Sequence, residues 1–329
     1  MYLTTLAPEA AIGHIVRHNL ADANGHKAIA KGHRLVAADL PRLHALGIVA
    51  LRVAVLEPGD VHEDEAARRL SAAVCGAGVR ATTPAASRVN LLASADGVVE
   101  VAVDALLQIN EIDGLTIATL PNHALARARK RIATIKIIPF AVPEEALARA
   151  EAIGRASVGV VRLRPLRRQA IGIILVGSPA ARQRIVRGVY PAIATRVAML
   201  GSTVLAMRYV AADEPAIASV IAELREAGAQ LLIIAGETSI MDRDDVTPQG
   251  LRLAGGRIEH FGAPVEPGNL LMLGYLDRVG GDVLPVLGAP GCVRSRNTNI
   301  VDLLLPRLLA GEQLTRHDII ALGHGGLLG

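Results

Sequence analysis

The chain has 329 residues, 51% of them hydrophobic and only 2% aromatic, with no tryptophan. That length allows two or three domains, each with its own core; the composition excludes a disordered chain and leaves few rings for stacking nucleobases. With 35 Lys plus Arg against 31 Asp plus Glu, the formal charge of +4 suits an anionic small ligand without marking a nucleic-acid binder.

In chain order, the first half is a run of short elements. GHIVRHNL (13–20) alternates weakly, AKGHRLVAADLPRLHALG (30–47) predicts a turn into a short helix closed at Gly47, and IVALRVAVL (48–56) predicts a strand. In EPGDVHEDEAARRLSAAV, Asp60 stands three residues before Glu63, the spacing of a capping box, and positions 66, 67, 70, 73 and 74 share one helical face. Residues 79–142 return to strand and turn, with a β-branched run over 132–142. RLRPLRRQ (162–169) reads as a basic, proline-containing linker, so residues 1–165 are expected to form an α+β region with room for two subdomains. His14 and His18 are four residues apart, but without a third ligand nearby in sequence they do not define a metal site.

Residues 166–329 are simpler. AIGIILVG (170–177), STVLAMRYV (202–210) and AQLLIIAG (229–236) are apolar runs of the kind buried on both sheet faces. IVRGVYPAIATRVAMLG and EPAIASVIAELREAG separate them, each long enough for one helix. This alternation predicts an α/β domain of three layers, a parallel sheet between helices. A helix is expected near 246–254, an antiparallel excursion over RIEHFGAPVEPGNLLMLGYL, and a returning strand at 283–291 that leads into TNIVDLLLPRLLAG. The longest apolar run, AIGIILVGSPAA, is about a dozen residues against the roughly 20 needed to span a bilayer, and no secretory signal is read at the N-terminus. Cys75 and Cys292 fall in no disulfide or zinc pattern, which fits a reducing, cytoplasmic setting.

Ligands of open parallel sheets gather outside the carboxyl ends of the strands. Three loops fall there: VGSPAA, AGETSIMDRDD and GAPGCVRSRN. In the second, Gly236 lets a ligand approach the backbone, and Glu237, Thr238 and Ser239 offer amide N–H groups to a phosphate or carboxylate. Thr238 and Ser239 serve equally as caps of a turn. Asp242, Asp244 and Asp245 outnumber the single acid that a helix start uses, which leaves Asp242 and Asp244 for a divalent ion or a polar heterocycle and Asp245 for the cap. In the third loop Pro290 and Gly291 set a tight turn, and Arg294, Ser295 and Arg296 precede a helix; arginine grips phosphate oxygens with two N–H groups. Cys292, between them, reads as a small packed residue. The chain has no P-loop and no dinucleotide fingerprint.

AGETSIMDRDDV, then VEPGNLLMLG, then PVLGAPGCVRSRN, in this order and spacing, resemble the molybdopterin-binding domain shared by molybdopterin molybdotransferases (MoeA-like) and molybdopterin adenylyltransferases (MogA-like). The family pattern runs G-G-x-S-x-G-D-x-D, R-P-G-K-P and L-P-G-N-P, and the resemblance covers about residues 168–329. It implies that Gly236, Thr238 and Ser239 hold the phosphate or dithiolene side of the pterin. Asp242 and Asp244 correspond to the acidic pair near Mg²⁺, and Pro267, Gly268, Pro290 and Gly291 shape the pocket. The departures are specific: Glu237 replaces the second glycine, Met241 another glycine, and Asn269 the usual lysine, while Cys292 and Arg294 stand in the Asn-Pro segment. A cation is lost at 269 and one is regained at 294 or 296. Residues 1–165 resemble the region found ahead of this domain in proteins that carry a molybdenum cofactor cytidylyltransferase module, and this chain has no such module.

The expected function is binding of molybdopterin or molybdenum cofactor during cofactor biosynthesis, with molybdenum insertion or nucleotidyl transfer as the enzymatic form. The alternative is a non-catalytic carrier that passes the cofactor to a cytidylyltransferase or a molybdoenzyme. The resemblance also implies a homo-oligomer.

Overall fold

The computed structural model describes residues 1–278 and 280–328, and the chain divides into two compact units, Met1–Arg164 and Pro165–Gly329. In the first unit, Tyr2–Leu6, Leu51–Val55 and Ile15–Val16 form a three-stranded antiparallel sheet over a small core that includes Val16, Leu43 and Val53. A larger core lies between the helices Glu63–Val74 and Glu144–Ala156 and a four-stranded sheet of Leu115–Thr119, Arg131–Ile137, Arg88–Ala93 and Val79–Ala81. Arg69 ties the two helices by pairing with Glu144 and Glu151.

The predicted helical face holds, since Ala66, Ala67, Leu70, Ala73 and Val74 are all buried. Its start differs. His62 is the N-cap and accepts the Asp64 amide, while Asp60 accepts the Glu57 amide at 2.7 Å and pairs with the chain's amino terminus, so its carboxylate is turned away from the helix. The basic segment at 162 is also a strand rather than a linker. Val161–Pro165 joins Gly97–Val101 in a three-stranded sheet, burying Val161 and Leu163 while Arg162 and Arg164 face Glu100.

The second unit is built on one six-stranded sheet, ordered Thr203–Val210, Ala170–Val176, Leu231–Gly236, Val283–Gly288, Met272–Asp277 and Arg257–Phe261. The first four strands run parallel, and Met272–Asp277 pairs antiparallel with both Val283–Gly288 and Arg257–Phe261, so the sheet is mixed rather than all parallel. Successive side chains of a strand face opposite ways, and both faces are apolar. Ile171, Ile173 and Leu175 pack with Ile185, Ile193 and Leu304, whereas Ile174 and Val176 pack with Ile217, Ile221 and Leu251. The single helix expected near 185–201 is two, Arg182–Gly188 and Tyr190–Met199, because Pro191 has no N–H to continue the ladder and is placed in the first turn of the second. Among the described residues no helix is long and apolar enough to cross a membrane.

Candidate functional site

The parallel strands end side by side. Val176 is in register with Gly236, and Ile234 with Gly288, so the three strand-end loops leave the sheet at one edge. Gly288 has no room for a side chain: a Cβ there would meet Ile240 Cδ1 at 2.7 Å and Met272 Cβ at 2.8 Å. Ile240 therefore folds back over the end of the neighbouring strand and carries the 236–240 loop toward the 289–294 loop. A Cβ on Gly291 would lie 3.1 Å from Ser239 Oγ and 3.4 Å from Arg294 Nη2, which puts the two loops in contact.

Between them is a cavity of ≈ 120 Å³ lined by Gly236, Glu237, Thr238, Pro290, Gly291 and Arg294, with Arg184 on its wall. A second cavity, ≈ 660 Å³, borders on the same Arg294 and on Gly188 and is lined by Arg187, Thr195, Arg196 and Arg296. This volume lies within the range of small-molecule sites. Arg294 donates Nε to the Gly291 carbonyl at 2.9 Å, which aims the rest of its guanidinium outward. Among the described residues Arg187 and Arg296 have no hydrogen-bonded or ionic side-chain partner. Three exposed arginines on one cavity, with at most one N–H group spent, attract an anion.

Arg196 holds this wall in place from inside. It is 8% exposed, gives Nε to Asp302 at 2.9 Å, and distributes its other N–H groups over the carbonyls of Val293 (3.0 Å), Ser295 (2.9 Å) and Asn297 (3.1 Å). Asp302 in turn accepts the Asn299 amide at 2.9 Å and closes a capping box on the helix Ile300–Leu309. One buried guanidinium thus fixes the loop that presents Arg294 and Arg296.

Glu237 reaches sideways rather than into solvent. Its carboxylate accepts the Ser178 amide (3.0 Å), the Ser178 hydroxyl (2.9 Å) and Arg184 Nη2 (2.8 Å). The Ser178 hydrogen bonds, with Arg184 beside them, hold its carboxyl below the usual carboxylate range. Burial pushes the Cys292 thiol up, in keeping with a packed residue.

Other expected site residues stand apart from the cavities. Asp242 Oδ1 accepts the Asp244 amide at 2.6 Å, and Asp244 faces Gln249 (3.1 Å) and Arg252 (3.5 Å). Asp245 stands at the N-cap of Val246–Leu253, yet its carboxylate accepts the amides of Met241 and Asp242, behind the helix. These acids satisfy their own turn, and among the described residues no three His, Cys, Asp or Glu gather as a metal site. Pro267 and Gly268 lie against the first turn of Ile300–Leu309. The Pro267 carbonyl accepts the Ile300 amide at 3.2 Å, and Gly268, at φ +143°, would set a Cβ 2.4 Å from Ile300 Cβ. Asn269 is exposed and uses its carbonyl on the Ala263 amide. Ser295 Oγ accepts the Asn297 amide at 3.1 Å. Sequence reasoning missed Ser178, Arg184, Arg187 and Arg196, although ARQRIVR directly after the first strand-end loop is a visible cluster of cations.

A mixed α/β sheet with an arginine-lined hollow beside the ends of its parallel strands is an arrangement suited to an anionic small molecule. Residues 172–310 match the family described as "Probable molybdopterin binding domain", so the second unit carries a domain of that kind and the chain has a role in molybdenum cofactor biosynthesis. Among solved structures the chain is similar to the tungsten cofactor synthesizing protein MoaB from Pyrococcus furiosus, with 15% identity and TM-score 0.31, over 43% of this chain and 91% of that one. It is similar to the molybdopterin biosynthesis enzyme MoaB from Thermus thermophilus (19%, TM-score 0.32; 44% and 98%). A molybdenum cofactor biosynthesis protein from Pyrococcus furiosus aligns over 97% of this chain and 65% of its own, at 11% identity and TM-score 0.25. No curated protein matches the chain. The family match leaves the first unit outside it, and no comparison ties that unit to cytidylyltransferases.

Proposed function

We propose that the second unit binds a phosphorylated pterin of the molybdopterin type, with its phosphate on Arg187, Arg294 and Arg296 and its remainder over the strand-end cavity of Gly236, Thr238, Pro290 and Gly291. The observation that carries this reading is the ≈ 660 Å³ cavity with three arginines whose terminal N–H groups are uncommitted. Arginine offers a phosphate paired, coplanar donors, and the loop that presents two of these arginines is fixed before any ligand arrives, which lowers the entropy cost of binding.

The residues fit the phosphate better than they fit magnesium. Asp242 and Asp244 each commit one carboxylate oxygen, to their own turn and to Gln249 and Arg252, and among the described residues no third His, Cys, Asp or Glu gathers with them, so no step is assigned to a metal held there. That arrangement, with Pro267 and Gly268 placed against a helix start and Asn269 bonded to Ala263 instead of lining the cavities, favours carriage of the cofactor over molybdenum insertion or nucleotidyl transfer. A carrier of this type would deliver to a cytidylyltransferase or a molybdoenzyme.

The test is to express the full chain in a host that makes molybdopterin, purify it, and quantify bound pterin by oxidation to its fluorescent product. Wild type should retain pterin, and Arg294→Ala with Arg296→Ala should retain at least about tenfold less, since each lost charge-assisted contact is worth about 1.5–3 kcal/mol. Equal retention by the double variant, with circular dichroism unchanged, would overturn the assignment. Incubation with molybdate and ATP then separates enzyme from carrier by whether the bound pterin is converted.

A further inference from the structure

At the end of the strand Ala170–Val176 the chain has built a cradle for an anion and filled it from within. Ser178 directs its N–H and its hydroxyl to one carboxylate oxygen of Glu237, at 3.0 and 2.9 Å, and Arg184 directs Nη2 to the other at 2.8 Å. Ser178 is itself held: the Tyr209 hydroxyl donates to its carbonyl at 2.6 Å, and the Arg182 guanidinium lies over the Tyr209 ring, 5.6 Å from its centroid. The backbone beside it is tightly packed, since a Cβ on Gly177 would stand 2.6 Å from Tyr209 Oη and 2.7 Å from Ile185 Cδ1. Three donors on two oxygens, one of them a guanidinium, are what a phosphate would also receive. Both Glu237 and Arg184 line the ≈ 120 Å³ cavity that borders on Arg294.

We propose that Ser178 and Arg184 form a second anion subsite, that Glu237 occupies it as an internal carboxylate, and that the site therefore selects ligands with one phosphate over polyphosphates. This rests on the reading that Arg187, Arg294 and Arg296 hold the first phosphate. A chain of phosphates growing from Arg294 toward the strand ends meets a negative charge whose donors are already taken. It must displace Glu237 or be repelled by it. A ligand with a single phosphate meets no such demand.

The experiment is isothermal titration of the full chain with inorganic phosphate and with inorganic tripolyphosphate, at fixed ionic strength. Wild type should show little preference for tripolyphosphate. Glu237→Ala should bind it at least about tenfold more tightly than wild type, with the affinity for phosphate changed less than about threefold. Arg184→Ala added to Glu237→Ala restores the net charge of wild type and should abolish the gain, which separates a built subsite from a general rise in positive charge. Circular dichroism of each variant monitors the fold. A folded Glu237→Ala with wild-type selectivity overturns the proposal, as does a gain that survives loss of Arg184. The underlying reading fails on a different result: Arg294→Ala with Arg296→Ala binding inorganic phosphate as tightly as wild type.

Discussion

Replacing Arg196 by methionine keeps an unbranched stem and removes the guanidinium, with its charge and every donor. The lost contacts are the ion pair with Asp302 and the hydrogen bonds to the carbonyls of Val293, Ser295 and Asn297. Removing one partner of a buried pair costs about 3–5 kcal/mol. Asp302 has a side chain that is 29% exposed and keeps the Asn299 amide, and Ser295 and Asn297 are open enough for water to replace part of what they lose, so the lower end, about 3 kcal/mol, applies. For a unit of this size each kcal/mol moves the melting temperature by about 2–4 °C, which gives a fall of roughly 6–12 °C. Differential scanning calorimetry of the full chain reads it as a shift of one transition, since the first unit has a core of its own. The same variant should weaken inorganic phosphate binding about tenfold or more while Arg294 and Arg296 are both still present, because the loop that aims them is no longer fixed. A melting temperature within about 3 °C of wild type, or an unchanged phosphate affinity, would refute the role assigned to Arg196.

Gly268→Ala should destabilise the second unit by about 3 kcal/mol or more in urea denaturation, because the new methyl lands on Ile300 at a backbone angle that favours glycine. Asp242→Asn with Asp244→Asn should change stability by less than about 0.5 kcal/mol, and Mg²⁺ should raise the melting temperature of neither wild type nor variant; stabilisation by Mg²⁺ that the variant loses would restore a metal role. Glu237 has its carboxyl lowered in the folded state, so the folded chain binds fewer protons there than the unfolded one. Its contribution to stability is present above the unfolded pKa and disappears as pH falls through the lower folded value; Glu237→Gln should flatten that part of the urea midpoint against pH below about pH 5.

The strands of the second unit could be read from composition because they are buried on both faces, and the helices because their apolar positions recur on one side. The turns at Gly236, Pro290 and Gly291 were legible for the same reason: strand ends, small residues and polar groups coincide there. The role of Glu237 was not, because its partners Ser178 and Arg184 are 59 and 53 residues away and come together only when two parallel strands align. Arg196 lay inside a helical run where a charge is expected to face water, and nothing local says that three loop carbonyls will bury it. The strand at Val161–Pro165 alternates valine, arginine, leucine, arginine with a period of two, but Pro165 and the charges that follow it give the segment the composition of a linker. Asp60 and Glu63 had the right spacing for a cap, but the amino group of Met1 competes for Asp60 from far along the chain, and no window on the sequence shows that.

The strand Val283–Gly288 is the last of the sheet to leave the ribosome, yet it takes its place in the middle, between Leu231–Gly236 and Met272–Asp277. Until it inserts, a growing polypeptide has a gap where Gly291 and Arg294 will stand, and the earlier strands have no finished neighbour along that border. The wall of the strand-end cavity that Pro290, Gly291 and Arg294 supply is therefore the last part of that cavity to be synthesised, after the strand that carries Gly236 is already in place.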